Sequence, residues 1–216
     1  MNNSQFNKIL VVKHGSLGDI AFSILAMASI KQFFNNATID LLTEEKYVNF
    51  LSNSDYFNSI FKDNRKGIID SLKVILKINQ NKYDLIIDLQ NSKRTNNYWS
   101  FLKFISEVKV NGSRSNCDIQ YVIPPQGTES PQQGLYNQLK LLGVNEINQN
   151  VDWLSRDITA INEDKIILMI PGVSKSGKDK QWSPDKFAIL ASTLEKKGYN
   201  ICAVSYTHLR AHETSV

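Results

Sequence analysis

Apolar positions along this chain switch repeatedly between two periods. Ile9-Leu10-Val11-Val12 is an unbroken apolar run, so Lys8 to Lys13 is predicted as a buried strand. From Ile20 to Phe34 apolar residues recur on one helical face. Thr38 to Leu42 is the next predicted strand, followed by a helical piece around Glu45 to Leu51 and a short strand from Ser59 to Phe61. Ile68, Leu72, Ile75 and Leu76 give helical spacing to Ile68 to Ile78. Tyr83 to Leu89 reads as a strong strand carrying Asp88 near its end. An aromatic-rich helix, Asn97 to Ile105, and a strand, Glu107 to Val110, follow. This alternation predicts an α/β domain with a doubly wound, mainly parallel sheet.

The pattern then loosens. Pro124, Pro125, Gly127 and Pro131 mark residues 111 to 133 as irregular, and Gly134 to Leu142 reads as a helix closed by Gly143. Asn145 to Asp164 is polar, as expected of a linker. A second α/β unit starts with a strand from Lys165 to Ile170 and a Gly-, Ser- and Lys-rich loop to Gln181. Ser183-Pro184 opens a helix that Gly198 closes, and Tyr199 to Val204 is its next strand. The expected division is 1–160 for a first domain, 161–204 for the start of a second, and 205–216 for a non-native tail. That tail, SYTHLRAHETSV, has no apolar period and resembles a translated sequencing adapter. Its His208 and His212 have metal-ligand spacing but no further ligand nearby. The natural protein is expected to continue past Val204. The chain as written is expected to be inactive and partly unfolded from about Lys165 onward, since so few strands cannot bury both faces of a sheet.

The most informative corner is Lys13-His14-Gly15-Ser16-Leu17-Gly18-Asp19, where the first strand turns into the first helix. Open α/β sheets bind ligands at such corners, at the carboxyl ends of their strands. Small residues there admit a ligand close to the backbone, and Asp19 offers a carboxylate to a hydroxyl or a neighbour to a phosphate. The bland alternative is a tight turn with Asp19 as a helix cap. His14 reads as a structural histidine.

Totals narrow the classes. The chain has 216 residues, is 42% hydrophobic and carries a net charge of +4. That charge suits anionic substrates or an acidic membrane surface. No dense Lys/Arg block points to nucleic acid. Cys117 and Cys202 suggest neither a disulfide framework nor a metal site, and a reducing, cytoplasmic setting is the default. The first residues lack a signal-peptide core, and no stretch is apolar enough to span a bilayer. Gly172-x-x-x-x-Gly177-Lys178 imitates a phosphate-binding P-loop. Asp179 stands where Ser or Thr should hold magnesium, and the helix starts late, so that reading fails.

ILVVKHGSLGD (9–19), YDLIIDLQNSKRT (83–95) and IPGVSKSGKDKQWSPDKFAILASTLEKKGYNICAVS (170–205), in this order, resemble segments of glycosyltransferase family 9, the ADP-heptose:lipopolysaccharide heptosyltransferases. The sequence departs from the family at Leu25, where proline is frequent, and at Asn91, where glycine is. The resemblance implies a GT-B architecture of two Rossmann-like domains across a cleft, the first for the acceptor sugar and the second, incomplete here, for the nucleotide-sugar donor. It implies inverting transfer of a heptose from ADP-heptose to a lipopolysaccharide core acceptor, with Asp19 as general base.

The resemblance further implies that Lys180, its register set by Trp182 and Pro184, contacts donor phosphates, with Ser174 adding a hydrogen bond. Lys175 and Lys178 read as solvated charge. Gly15, Ser16, Asp88, Gln90 and Arg94 are the candidate acceptor-binding residues. For Asp88 and Arg94 a turn cap and a surface charge are the bland alternatives. Tyr98, Trp99 and Phe101 read as packing residues. No cofactor or metal is implied, since the nucleotide-sugar is a substrate. Neither nucleic acid nor an obligate protein partner is implied. The implied location is cytoplasmic or peripheral on the cytoplasmic face of the inner membrane. The competing reading is a sugar- or nucleotide-binding module without catalysis.

Overall fold

The computed structural model describes residues 6–155, 165–173 and 179–204. The chain divides into two compact units, residues 1–155 and 156–216. In the first, six strands run parallel: β1 (Lys8–Val12), β2 (Thr38–Thr43), β3 (Ser59–Lys62), β4 (Leu85–Asp88), β5 (Lys109–Gly112) and β6 (Ile119–Gln120). Their spatial order is β3-β2-β1-β4-β5-β6. This is the doubly wound Rossmann order, in which the winding reverses between β1 and β4. Ile9 pairs with Ile39 on one side and Leu85 on the other, so β1 lies at the centre.

Strand side chains alternate between two cores. Ile9 and Val11 face α1 (Leu17–Phe33), α2 (Glu45–Leu51) and α5 (Pro131–Lys140). Leu10 and Val12 face α3 (Ile68–Asn81) and α4 (Lys93–Leu102). All four are fully buried, worth about 2 kcal/mol each relative to exposure. That explains why the opening run is apolar at every position.

Three helices, α1 behind the Ser16 cap, α4 and α5, begin earlier than their apolar pattern predicts, because capping groups set their starts. Ser92 caps α4, and its hydroxyl accepts from the backbone N–H of Thr95. Ser130 caps α5, with Pro131 at the first helical position. The irregular stretch contains one short strand, β6. The predicted linker also starts later than expected. The N–H of Asn148 donates to Ser29 Oγ at 2.9 Å, and Trp153 Nε1 donates to Tyr56 OH at 2.9 Å. Residues 145–155 therefore belong to the first unit.

The second unit contains β7 (Ile166–Met169), α6 (Pro184–Glu195) and β8 (Asn200–Ala203), with β7 and β8 parallel. Leu168 and Ile170 are exposed.

Candidate active site

The strand order places the turns after β1 and β4 side by side at the carboxyl edge, where the sheet reverses its winding. Gln90 Oε1 accepts the backbone N–H of His14 at 3.0 Å and ties the two turns together. The amine of Lys13 is buried behind them and donates to Leu89 O at 3.1 Å. Burial lowers its pKa, against the attraction of Asp19 and Asp88.

Asp19 is exposed at this edge. Its Oδ2 accepts both the backbone N–H and the hydroxyl of Ser16, each at 2.7 Å. Ser16 and Asp19 thus form a capping box at the start of α1. The Ser16 hydroxyl contact is the main cause of a pKa below the ordinary aspartate value. Partial burial opposes it, and the Ser16 backbone N–H and Lys13 add to it. Asp19 is therefore a carboxylate at neutral pH. Among the described residues its Oδ1 has no hydrogen-bond donor.

Gly15 makes this geometry possible. Its φ is +117°, and a Cβ there would lie 2.6 Å from Asp19 Oδ2. Its N–H donates to Glu44 Oε1 at 3.0 Å, and its carbonyl accepts from Tyr47 OH at 2.9 Å. Glu44 also accepts from Arg65 at 2.9 Å, so the segment after β3 is joined to the first turn.

Beneath that junction lies a buried charged cluster. Asp63 is fully buried. Its Oδ2 accepts from Tyr98 OH at 2.9 Å and its Oδ1 from the backbone N–H of Arg65 at 2.9 Å. Arg94 lies 3.7 Å from Asp63 and also donates to Ser71 Oγ. His14 Nε2 lies 3.5 Å from Asp63 Oδ2 but makes no hydrogen bond. Burial outweighs the attraction of Asp63 and pushes the imidazole pKa down to about 4, so His14 is neutral at pH 7.

Asp88 corrects an expectation. It is fully buried, its Oδ1 accepts the N–H groups of Gln90 and Asn91, and its Oδ2 accepts Trp99 Nε1 at 2.8 Å. No oxygen remains to meet an acceptor, so Asp88 shapes the turn. Burial raises its pKa, against these hydrogen bonds. Asn91 sits at φ +52°, in the left-handed region that asparagine, like glycine, tolerates. Arg94 is half-buried and anchored in the Asp63 cluster, so it is no free surface charge. Tyr98 and Trp99 are packing residues as expected, whereas Phe101 is largely exposed.

The carboxyl edge thus gathers Gly15, Ser16, Asp19 and Gln90, with Arg94 beside them and Asp88 beneath. It also gathers Lys13, Glu44, Asp63 and Arg65, which sequence reasoning missed. Their signal was position, because Lys13, Glu44 and Asp63 immediately follow β1, β2 and β3. Lys180 lies in the second unit, exposed after β7, just before Trp182, whose ring packs edge-on against Phe187 at 4.9 Å. Ser174, Lys175, Lys178, His208 and His212 lie outside the described residues. Among the described residues no cluster of three or more His, Cys, Asp or Glu could hold a metal ion.

No family model matches the chain. It is 32% identical over 87 residues to lipopolysaccharide heptosyltransferase 1 of Campylobacter coli, covering 38% of this chain and 25% of that protein. It is 22% identical over 211 residues to lipopolysaccharide heptosyltransferase 3 of Escherichia coli K12, covering 85% of this chain and 59% of that protein. The chain therefore spans less than two thirds of either relative. Among solved structures, a glycosyl transferase family 9 protein from Veillonella parvula superposes with a TM-score of 0.69 at 19% identity. The match covers 91% of this chain and 62% of that one. The E. coli heptosyltransferase WaaC with ADP-2-deoxy-2-fluoro heptose gives 0.66 at 14% identity, covering 93% and 70%. The chain is thus similar in sequence to heptosyltransferases and shares the α/β fold of family 9 structures.

Proposed function

We propose, from this likeness to the heptosyltransferases of glycosyltransferase family 9, that the chain carries the acceptor side of an inverting glycosyltransferase. The substrates in this reading are ADP-heptose and a lipopolysaccharide core acceptor. The observation that carries it is Asp19, an exposed carboxylate on a rigid turn at the reversal point of the sheet. Asp19 takes the proton of the acceptor hydroxyl while that oxygen attacks the anomeric carbon from the face opposite the leaving group. The bond from that carbon to the diphosphate breaks, and ADP departs with its electron pair. A carboxylate of depressed pKa is a weak base, so proton transfer accompanies the attack and does not precede it. Ser16 and Lys13 keep the base ionised between turnovers.

In this reading Gly15, Ser16 and Gln90 line the acceptor position, and Arg94 borders it. Lys180 and Ser174, both in the sequence between β7 and α6, meet the donor diphosphate, where a cation stabilises the charge that develops on departure. Asp88 supports the site from below. The enzyme works in the cytoplasm, where nucleotide-sugars are made, on an acceptor held at the membrane surface. No metal or cofactor takes part.

A second reading has one observation in its favour. The capping box accounts for Asp19 without chemistry, as a binding module would require. Asp19→Asn separates the two, because asparagine can still accept from Ser16 but cannot take a proton. Transfer from ADP-heptose to a heptose-deficient lipopolysaccharide acceptor, measured on the gene's whole product, should fall about 10²-fold or more with an unchanged circular dichroism spectrum. Equal turnover in mutant and parent would remove Asp19 from the chemistry.

A further inference from the structure

Helix α3 is apolar on two faces, and among the described residues only one of them is covered. Val74, Ile75 and Ile78 enter the core beneath β1 and β4. Ile68, Ile69, Leu72 and Leu76 are exposed, Ile68 to 80% and Ile69 to 71%. At about 100° per residue these four share a solvent-facing arc about 100° wide. Exposed Lys73 and Lys77 border the arc on one side. On the other, an open groove of about 550 Å³ separates α3 from α4, with Leu72, Ile75 and the exposed ring of Phe101 in its walls. Arg94 also lines this groove, so the groove is continuous with the catalytic edge.

The charges around this surface are predominantly positive. Helices α3 and α4 carry Lys73, Lys77, Lys93 and Arg94 against a single acid, Asp70, and exposed Lys66 precedes α3. Aliphatic residues set among lysines are the makings of an interfacial helix: the apolar side chains enter the acyl boundary while the ammonium groups remain at the headgroups. A symmetric contact with a second copy of the chain would set Lys73 and Lys93 of both copies against their own kind. Anionic headgroups neutralise the same charges.

We propose that the α3–α4 face docks the first unit onto an anionic phospholipid surface. Ile68, Ile69, Leu72, Leu76 and Phe101 supply the apolar contact, and Lys66, Lys73 and Lys93 the electrostatic one. Docked this way, the groove presents the membrane at the Arg94 end of the edge that holds Asp19. Only this last consequence rests on the transferase reading.

Vesicle co-sedimentation of the chain itself tests the proposal without turnover, so its failure leaves the Asp19 chemistry untouched. Binding should appear with phosphatidylglycerol-containing vesicles, weaken with salt, and be much lower with pure phosphatidylcholine. Ile68→Ser/Leu72→Ser should lower the partition constant about tenfold or more. Lys73→Gln/Lys93→Gln should lower it about 25-fold, about fivefold per charge. Lys140→Gln, on the opposite face of the sheet, should leave it unchanged. All substituted side chains are exposed, so the circular dichroism spectrum should stay constant. Equal binding to phosphatidylcholine, unaltered binding by the Ile68/Leu72 variant, or equal loss in the Lys140 variant would overturn the assignment. So would an absence of vesicle binding together with a dimer, seen by sedimentation velocity, that the Ile68/Leu72 variant abolishes.

Discussion

Replacing Gly15 with alanine adds one carbon where the turn has no room for it. The φ of +117° lies outside the basin that L-residues favour, and left-handed backbone alone costs about 1–2 kcal/mol. The new methyl would sit 2.6 Å from Asp19 Oδ2, so the carboxylate must leave Ser16, whose N–H and hydroxyl it accepts. Loss of such a cap costs about 1 kcal/mol. Together the two effects reach about 3 kcal/mol. In a unit of this size each kcal/mol moves the melting temperature by roughly 2–4 °C, so thermal unfolding should shift down by about 6–12 °C. Turnover should fall with it, since Asp19 is displaced. The clash part of the cost can be isolated: in a Gly15→Ala/Asp19→Ala double variant the methyl no longer meets a carboxylate, so the total should be less than the sum of the two single losses. A shift below about 2 °C for Gly15→Ala, or full additivity in the cycle, would refute the account of this turn.

Three further outcomes follow from the same geometry. Lys180→Ala should weaken binding of an ADP-sugar more than binding of the acceptor, which calorimetry on the gene's whole product measures; equal donor affinity would make Lys180 a solvated charge. His14 has its pKa depressed to about 4 by burial. The unfolded chain therefore binds the proton more readily, so stability is fully present above pH 6.5 and declines as pH falls toward 4. His14→Gln should flatten that part of a pH series of urea midpoints, and an unchanged slope would assign it to other groups. Asp88→Ala should destabilise by about 3 kcal/mol or more, because it leaves Trp99 Nε1 and two turn N–H groups buried without an acceptor; a loss under 1 kcal/mol would mean that the turn finds other partners.

Local pattern carried the strands and helices well because side-chain period is a property of neighbouring residues. The apolar run at Ile9 to Val12 reads as a buried strand, and the structure covers it on both faces. Helix starts were harder to read. Ser92 and Ser130 set them with single hydroxyl groups, which the apolar period does not register. Asp88 shows a different limit. An aspartate ending a central strand reads equally well as a ligand contact or a turn cap; Oδ1 caps the turn, and Trp99, reaching back from α4, takes up Oδ2.

By itself the sequence determined that a strand, a glycine-containing turn and a helix follow one another around Asp19, because those preferences act within a few residues. It also determined that such units recur and so stack as a parallel sheet. The tertiary structure alone decided which strand ends share an edge. The order β3-β2-β1-β4 sets Glu44, Asp63 and Arg65 beside the first turn and brings Gln90 and Arg94 to it from the other side. Those partners are far apart in the chain, and no local period relates them. Their distances, and the burial that makes His14 neutral and encloses Asp63, arise only when the strands pair and the helices close over them.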